Sequence, residues 1–121
     1  MVRRREVLIG PDRRLRFTVE LNRGRPRFWA VQLEWYDPEE ERWVWVARCD
    51  TAGGTPHRDR NRIAAHDPVD LPQNPGKAAR VAETDLARRA EEYIEAYRAA
   101  KAQGKEAWCT PRRGWQSWTR F

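Results

Sequence analysis

The sequence predicts an α+β fold, an antiparallel meander of about four strands with one long C-terminal helix packed on it. Three observations predict it. Between Leu15 and Tyr36 apolar and polar residues alternate with a period of two, as in half-buried strands. Short turn-forming segments separate the candidate strands, which favours antiparallel neighbours. From Lys77 to Lys101 the apolar spacing lengthens to three and four, that of an amphipathic helix. A chain of 121 residues supports one core. Residues 1–105 therefore read as a single domain and 106–121 as a basic, aromatic tail.

The elements follow in order. Arg3, Arg4 and Arg5 read as a basic arm or the outer edge of a first strand, Val7-Leu8-Ile9, closed by Gly10-Pro11-Asp12. In the second strand Leu15, Phe17, Val19 and Leu21 alternate with Arg14, Arg16, Thr18 and Glu20. The segment NRGRP is a turn by its Gly and Pro. In a third strand, Phe28 to Tyr36, the side chains Trp29, Val31, Leu33 and Trp35 share one face, with Gln32 and Glu34 opposite. After the polar loop DPEEER comes WVWVARCD, Trp43 to Asp50, apolar on both faces at first and so read as central. The stretch DPVDLPQNPG, with three prolines, excludes regular structure. On the helix Ala79, Ala82, Leu86, Ala90, Tyr93 and Tyr97 form the stripe, and Gln103-Gly104 the stop.

Composition points to an anionic partner. Of 24 basic residues only Lys77, Lys101 and Lys105 are lysine; the formal charge is +6 and the pI about 10. Arginine forks onto phosphate and stacks on bases, as lysine does not. Genome composition alone also enriches arginine, and 18 acids interleave with the bases. The tail, WCTPRRGWQSWTRF, mixes Arg112, Arg113 and Arg120 with Trp108, Trp115 and Trp118. That mixture suits base stacking, and equally a strap that packs on the sheet or docks on a partner. No apolar run approaches the ~20 residues of a bilayer span and no signal peptide follows the basic start, so the cytoplasm is expected. Cys49 and Cys109 form no CxxC pair and predict no disulfide scaffold.

The chemistry concentrates in RCDTAGGTPHRDRNRIAAHD, Arg48 to Asp67, read as a loop leaving the fourth strand. Arg48 and Asp50 alternate to one face and Cys49 to the other. Cleavage of an RNA phosphodiester needs a base, an acid and cationic support for the phosphorane. His57 and His66 supply the pair, Asp50 or Asp59 orients an imidazole, and Arg48 or Arg58 holds the phosphate. A metal centre from Asp50, His57, Asp59 and His66 matches no familiar ligand spacing, so no metal and no cofactor is expected. Candidate nucleic-acid contacts are Arg3, Arg4, Arg5, Arg58, Arg60, Arg62, Arg112, Arg113, Trp115, Trp118 and Arg120.

The stretch FWAVQLEWYDPEEERWVWVARCDTAGGTPHRD resembles a family of small uncharacterised prokaryotic proteins with a core of the type FxVQLEY and a motif RYDTAHGxxHRD. That family is distantly similar to TumE-like toxins of toxin–antitoxin systems. The resemblance implies that Arg48, Asp50, His57 and Asp59 occupy the motif positions. The chain departs from the motif where Cys49 replaces Tyr, and where Gly53 or Gly54 stands in place of the first His.

Two functions follow. One is a small RNA-binding, toxin-like protein, a metal-independent ribonuclease. The other is a non-catalytic accessory subunit of a prokaryotic ribonucleoprotein, such as an RNA-guided defence complex. RNA ranks ahead of DNA, a protein partner (an antitoxin or larger assembly) is expected, and a membrane is not. A protein-only interaction module is the third possibility.

Overall fold

A computed structural model describes residues 1–51 and 54–107. Six strands come first: β1 (Val2–Gly10), β2 (Arg13–Asn22), β3 (Arg25–Asp37), β4 (Arg42–Asp50), β5 (His57–Arg60) and β6 (Ala64–Pro68). Two helices follow, α1 (Pro75–Arg88) and α2 (Ala90–Ala102). The strands pair antiparallel in chain order, β1-β2-β3-β4-β5-β6, so β1 and β6 are the edges. This corrects the expectation of about four strands and one long helix in two ways, each with a physical cause.

The first concerns strands without an apolar pattern. β5 (HRDR) and β6 (AAHDP) fall inside the expected loop. β5 is held by backbone pairing to β4, from Ala47↔Arg60 to Asp50↔His57, and β6 by pairing to β5, which side-chain periodicity does not report. The chain reverses between them at Arg62, whose φ is 69°. β1 likewise begins at Val2 and absorbs the three arginines, because an edge strand with exposed faces tolerates charge.

The second concerns the helix. The backbone breaks at Arg89 (φ −101°, ψ 18°), whose guanidinium ties Asp85 in one helix to Glu92 in the other at 3.1 and 2.9 Å. A one-residue break leaves the stripe intact. Leu86, Ala90, Tyr93, Ile94 and Tyr97 are all buried across it, and the stripe starts at Ala78, with Ala79 only partly covered.

Both helices cover one face of the sheet. The core there is Leu15, Phe17, Trp29, Val31, Leu33, Trp35, Val44, Val46, Ala47 and Cys49 against the helical stripe. The side chains are large, so few positions bury much apolar area. α1 starts at Asn74, whose side chain accepts from the Lys77 amide at 3.0 Å, with Pro75 at the first position. The end of α2 is fixed by Lys101, which donates to Asp37 and Glu40 of the β3–β4 connection, each at 2.6 Å.

The opposite face carries the site. It is polar, yet much of it is buried. The turn at Arg23-Gly24, with φ of 54° and 79°, is the tight right-twisting kind that joins β2 to β3, whose register shifts once, between Glu20 and Leu21. A bulge opposite Leu33 and Glu34 then lets Trp45 and Arg48 share the polar face.

Candidate functional site

Strand register builds the site in rows across the polar face. One row runs Arg4, Thr18, Ala30, Asp50, His57. The next runs Glu6, Arg16, Gln32, Arg48, Asp59. Opposite charges therefore meet both along and across strands, where side chains stand within contact distance. On the β1–β3 side Arg16 reaches Glu6 at 3.0 Å and Arg14 reaches Glu34 at 2.7 Å, while Gln32 Nε2 donates to Glu34 at 2.5 Å.

On the β4–β5 side Arg48 is the hub. It has no exposed surface, and it bridges Asp50 (Nε to Oδ2, 2.9 Å) and Asp59 (Nη2 to Oδ2, 2.5 Å), both also buried. Its guanidinium stacks 5.2 Å from the ring of Trp45. Two buried carboxylates need such a partner, since an uncompensated charge in the interior is very costly. Of the two arginines expected to hold a phosphate, Arg48 is thus placed inside the sheet, engaged by the two aspartates and without exposed surface.

His57 stands at the rim, 12% exposed, between these carboxylates and solvent. Its Nε2 lies 2.9 Å from Asp50 Oδ1 and 4.0 Å from Asp59 Oδ2, and its Nδ1 faces the Thr55 carbonyl at 3.1 Å. A carbonyl only accepts, so Nδ1 carries a proton. His66 is 51% exposed and packs edge-on to His57 with ring centroids 5.1 Å apart. Its backbone is left-handed (φ 60°), held there by its amide, which donates to Asp59 Oδ1 at 2.7 Å. A non-glycine residue in that conformation is uncommon and clusters at functional sites.

The other predicted residues divide. Arg58 donates to the Tyr93 hydroxyl at 3.0 Å, Arg62 to the Lys105 carbonyl at 2.6 Å, and Arg60 lies 3.7 Å from Asp67. All three are engaged with the protein. Arg3, Arg4 and Arg5 are exposed on β1, with Arg5 over the Phe17 ring at 4.1 Å. Arg112, Arg113, Trp115, Trp118 and Arg120 lie outside the described residues. Cys49 is buried in the core beneath Arg58, and burial pushes its thiol up to about 12, which removes it as a nucleophile.

With the geometry in place, comparison with known proteins adds one relation. The chain belongs to the DUF7718 family. The match, to a domain of unknown function (DUF7718), spans residues 3–103 and so takes in all six strands and both helices. No curated protein and no solved structure matches the chain. The DUF7718 region also holds residues the sequence reading missed. Arg23, Arg25 and Arg27, on the β2–β3 hairpin, are exposed at the same end of the sheet as Arg3 and the β4–β5 connection bearing His57. None of Arg3, Arg23, Arg25 and Arg27 makes an ion pair among the described residues. The signal was present as NRGRPR, a turn with three arginines, but a turn reading uses only its Gly and Pro.

Proposed function

We propose that the chain is a small RNA-binding, toxin-like protein that cleaves RNA at His57 in the cytoplasm. The observation that carries the reading is the setting of His57. It is the rim member of a buried carboxylate–arginine network, beside an exposed second histidine, at the end of the sheet that carries exposed arginines. Nδ1 of His57 donates to the Thr55 carbonyl and Nε2 lies 2.9 Å from Asp50 Oδ1. That favours His57 as the acid that protonates the departing 5′ oxygen, with Asp50 behind it. His66, more exposed, then takes the proton of the attacking 2′-hydroxyl. Arg3, Arg23, Arg25 and Arg27 meet the flanking phosphates, the role that the buried Arg48 does not fill. No helix among the described residues is long and apolar enough to cross a membrane.

The test is cleavage of an end-labelled single-stranded RNA by purified protein in the presence of EDTA. Wild-type protein is expected to give 2′,3′-cyclic phosphate ends, and His57→Ala to give none above background. Binding without cleavage would favour the accessory-subunit reading, which the complete burial of Arg48 and Asp50 supports. No binding would leave the arginines to genome composition.

A further inference from the structure

We propose that His57, Asp59 and His66 form a binding site for a borderline divalent cation of the zinc class. Among the described residues these three side chains bring one ligand atom each within 4.8 Å of one another. His66 Nδ1 lies 3.6 Å from Asp59 Oδ1, and His57 Nε2 lies 4.0 Å from Asp59 Oδ2. Bonds of about 2.0–2.1 Å to a tetrahedral ion place ligand atoms roughly 3.4 Å apart. The His66–Asp59 pair therefore stands a few tenths of an ångström wider than an occupied site, while the full set spreads over as much as 4.8 Å and closes on an ion only if both the half-exposed His66 ring and the His57 ring turn inward. Two imidazoles and one carboxylate are the donor set that zinc-class ions prefer over magnesium or calcium.

Two further features fit a cation and are independent of the donor spacing. First, the Nδ1–H of His57 is anchored on the Thr55 carbonyl. This is the outer contact that metal-bound histidines commonly make, and it leaves Nε2 as the ring nitrogen open to an ion. A lone pair 2.9 Å from the anionic oxygen of Asp50 needs positive charge beside it, either a proton or a metal ion. Second, Asp50 and Asp59 carry two negative charges against the single positive charge of Arg48. Asp59 keeps lone pairs for an ion after accepting from Arg48 and the His66 amide, because a carboxylate offers about four. Three protein ligands leave a fourth position for water on a four-coordinate ion.

The site deepens the cleavage reading and, for its regulatory consequence only, rests on it. An ion bound to Nε2 of His57 and Nδ1 of His66 takes the nitrogens that would carry the protons, so metal occupancy switches cleavage off.

The experiment is titration of the untagged, EDTA-treated full chain with Co2+, followed by its visible ligand-field absorption. The expected result is one equivalent bound with the intense bands of a four-coordinate site, bleached by Zn2+. His66→Ala removes an exposed ring while keeping the amide bond to Asp59, and is expected to weaken binding at least about tenfold, as is His57→Gln. Cys109→Ser is expected to leave the spectrum unchanged. Absence of stoichiometric binding, binding indifferent to His66→Ala, or binding abolished by Cys109→Ser would each overturn the site. The two readings separate cleanly. Cleavage in EDTA with no cobalt binding removes the metal site and keeps the ribonuclease; cobalt binding with no cleavage does the reverse.

Discussion

At the scale of single residues, burial decides what each charged group is available to do. Arg48 touches Asp50, Asp59 and Trp45 and has no exposed surface, so its first effect is on stability. Arg48→Met is expected to cost about 3–5 kcal/mol, the usual result of stranding buried charge. The triple variant Arg48→Met, Asp50→Asn, Asp59→Asn should recover a large part of that. Urea unfolding followed by tryptophan fluorescence measures both. His57 sits one step outward, and His57→Ala is expected to lower cleavage by on the order of a hundredfold with an unchanged far-ultraviolet spectrum, which a labelled-RNA assay checks. Two buried acids set the alkaline limit. Burial pushes the Cys49 thiol up to about 12, and burial with the Asp85 hydrogen bond pushes the Tyr93 hydroxyl up to about 12. Both lose their protons earlier in the unfolded chain, near 9 and 10. Their contribution is complete below pH about 9 and is lost as pH climbs toward 12. Unfolding free energy measured between those limits should fall, and Cys49→Ala should flatten the fall.

At the scale of elements, Lys101 shows how a helix end is fixed to a loop. It joins α2 to Asp37 and Glu40. Burial alone would raise the Asp37 carboxyl, but the Lys101 ammonium and the amides of Glu39 and Glu40 outweigh it and hold it low; Lys101 first, then Arg42, lowers Glu40. Depressed carboxylates add stability above their unfolded values near 4, and it is lost as pH falls below them. Lys101→Met is expected to cost about 1–3 kcal/mol at neutral pH, and to shrink the loss between pH 5 and 3, both visible in thermal melts. Elements held by apolar contact were legible in the sequence. The second to fourth strands announced themselves through Leu15, Phe17, Trp29, Val31 and Val44, and the helical stripe through Leu86 and Tyr93. Elements held by backbone pairing were not: β5 and β6 carry no apolar alternation, and the break at Arg89 leaves the stripe in phase. The site divides in the same way. The alternation of Arg48 and Asp50 was readable, whereas the meeting of His57 with His66 depends on the left-handed backbone at His66. Polar residues at Arg16, Gln32 and Glu34 read as a solvent face, yet they are buried, because each finds a charged or amide partner on the neighbouring strand or its own.

At the scale of the whole molecule, the sheet is electrically polar along its strands. One end gathers Asp12, Asp37, Glu39 and Glu40, largely offset by Arg13, Arg42 and Lys101. The other presents Arg3, Arg23, Arg25 and Arg27 without ion pairs among the described residues. Replacing Arg23, Arg25 and Arg27 with Gln should therefore weaken RNA binding and make the logarithmic salt dependence shallower by up to about two units (~0.7 for each phosphate no longer neutralised), while the melting temperature stays put. Fluorescence anisotropy across a salt series measures it. The edge position of β1 has a consequence of another kind. Among the described residues no strand pairs with its outer row of amides and carbonyls, a template on which a second molecule can lay a strand. Edge-to-edge joining would bring two copies of Arg3-Arg4-Arg5 within one strand spacing, about 4.8 Å, and like charges at that separation repel. The same run is thus expected to oppose polymerisation of concentrated protein. A polyanion that neutralises it, or a variant that replaces it with threonine, is expected to promote fibrous self-association, which light scattering across a concentration series measures.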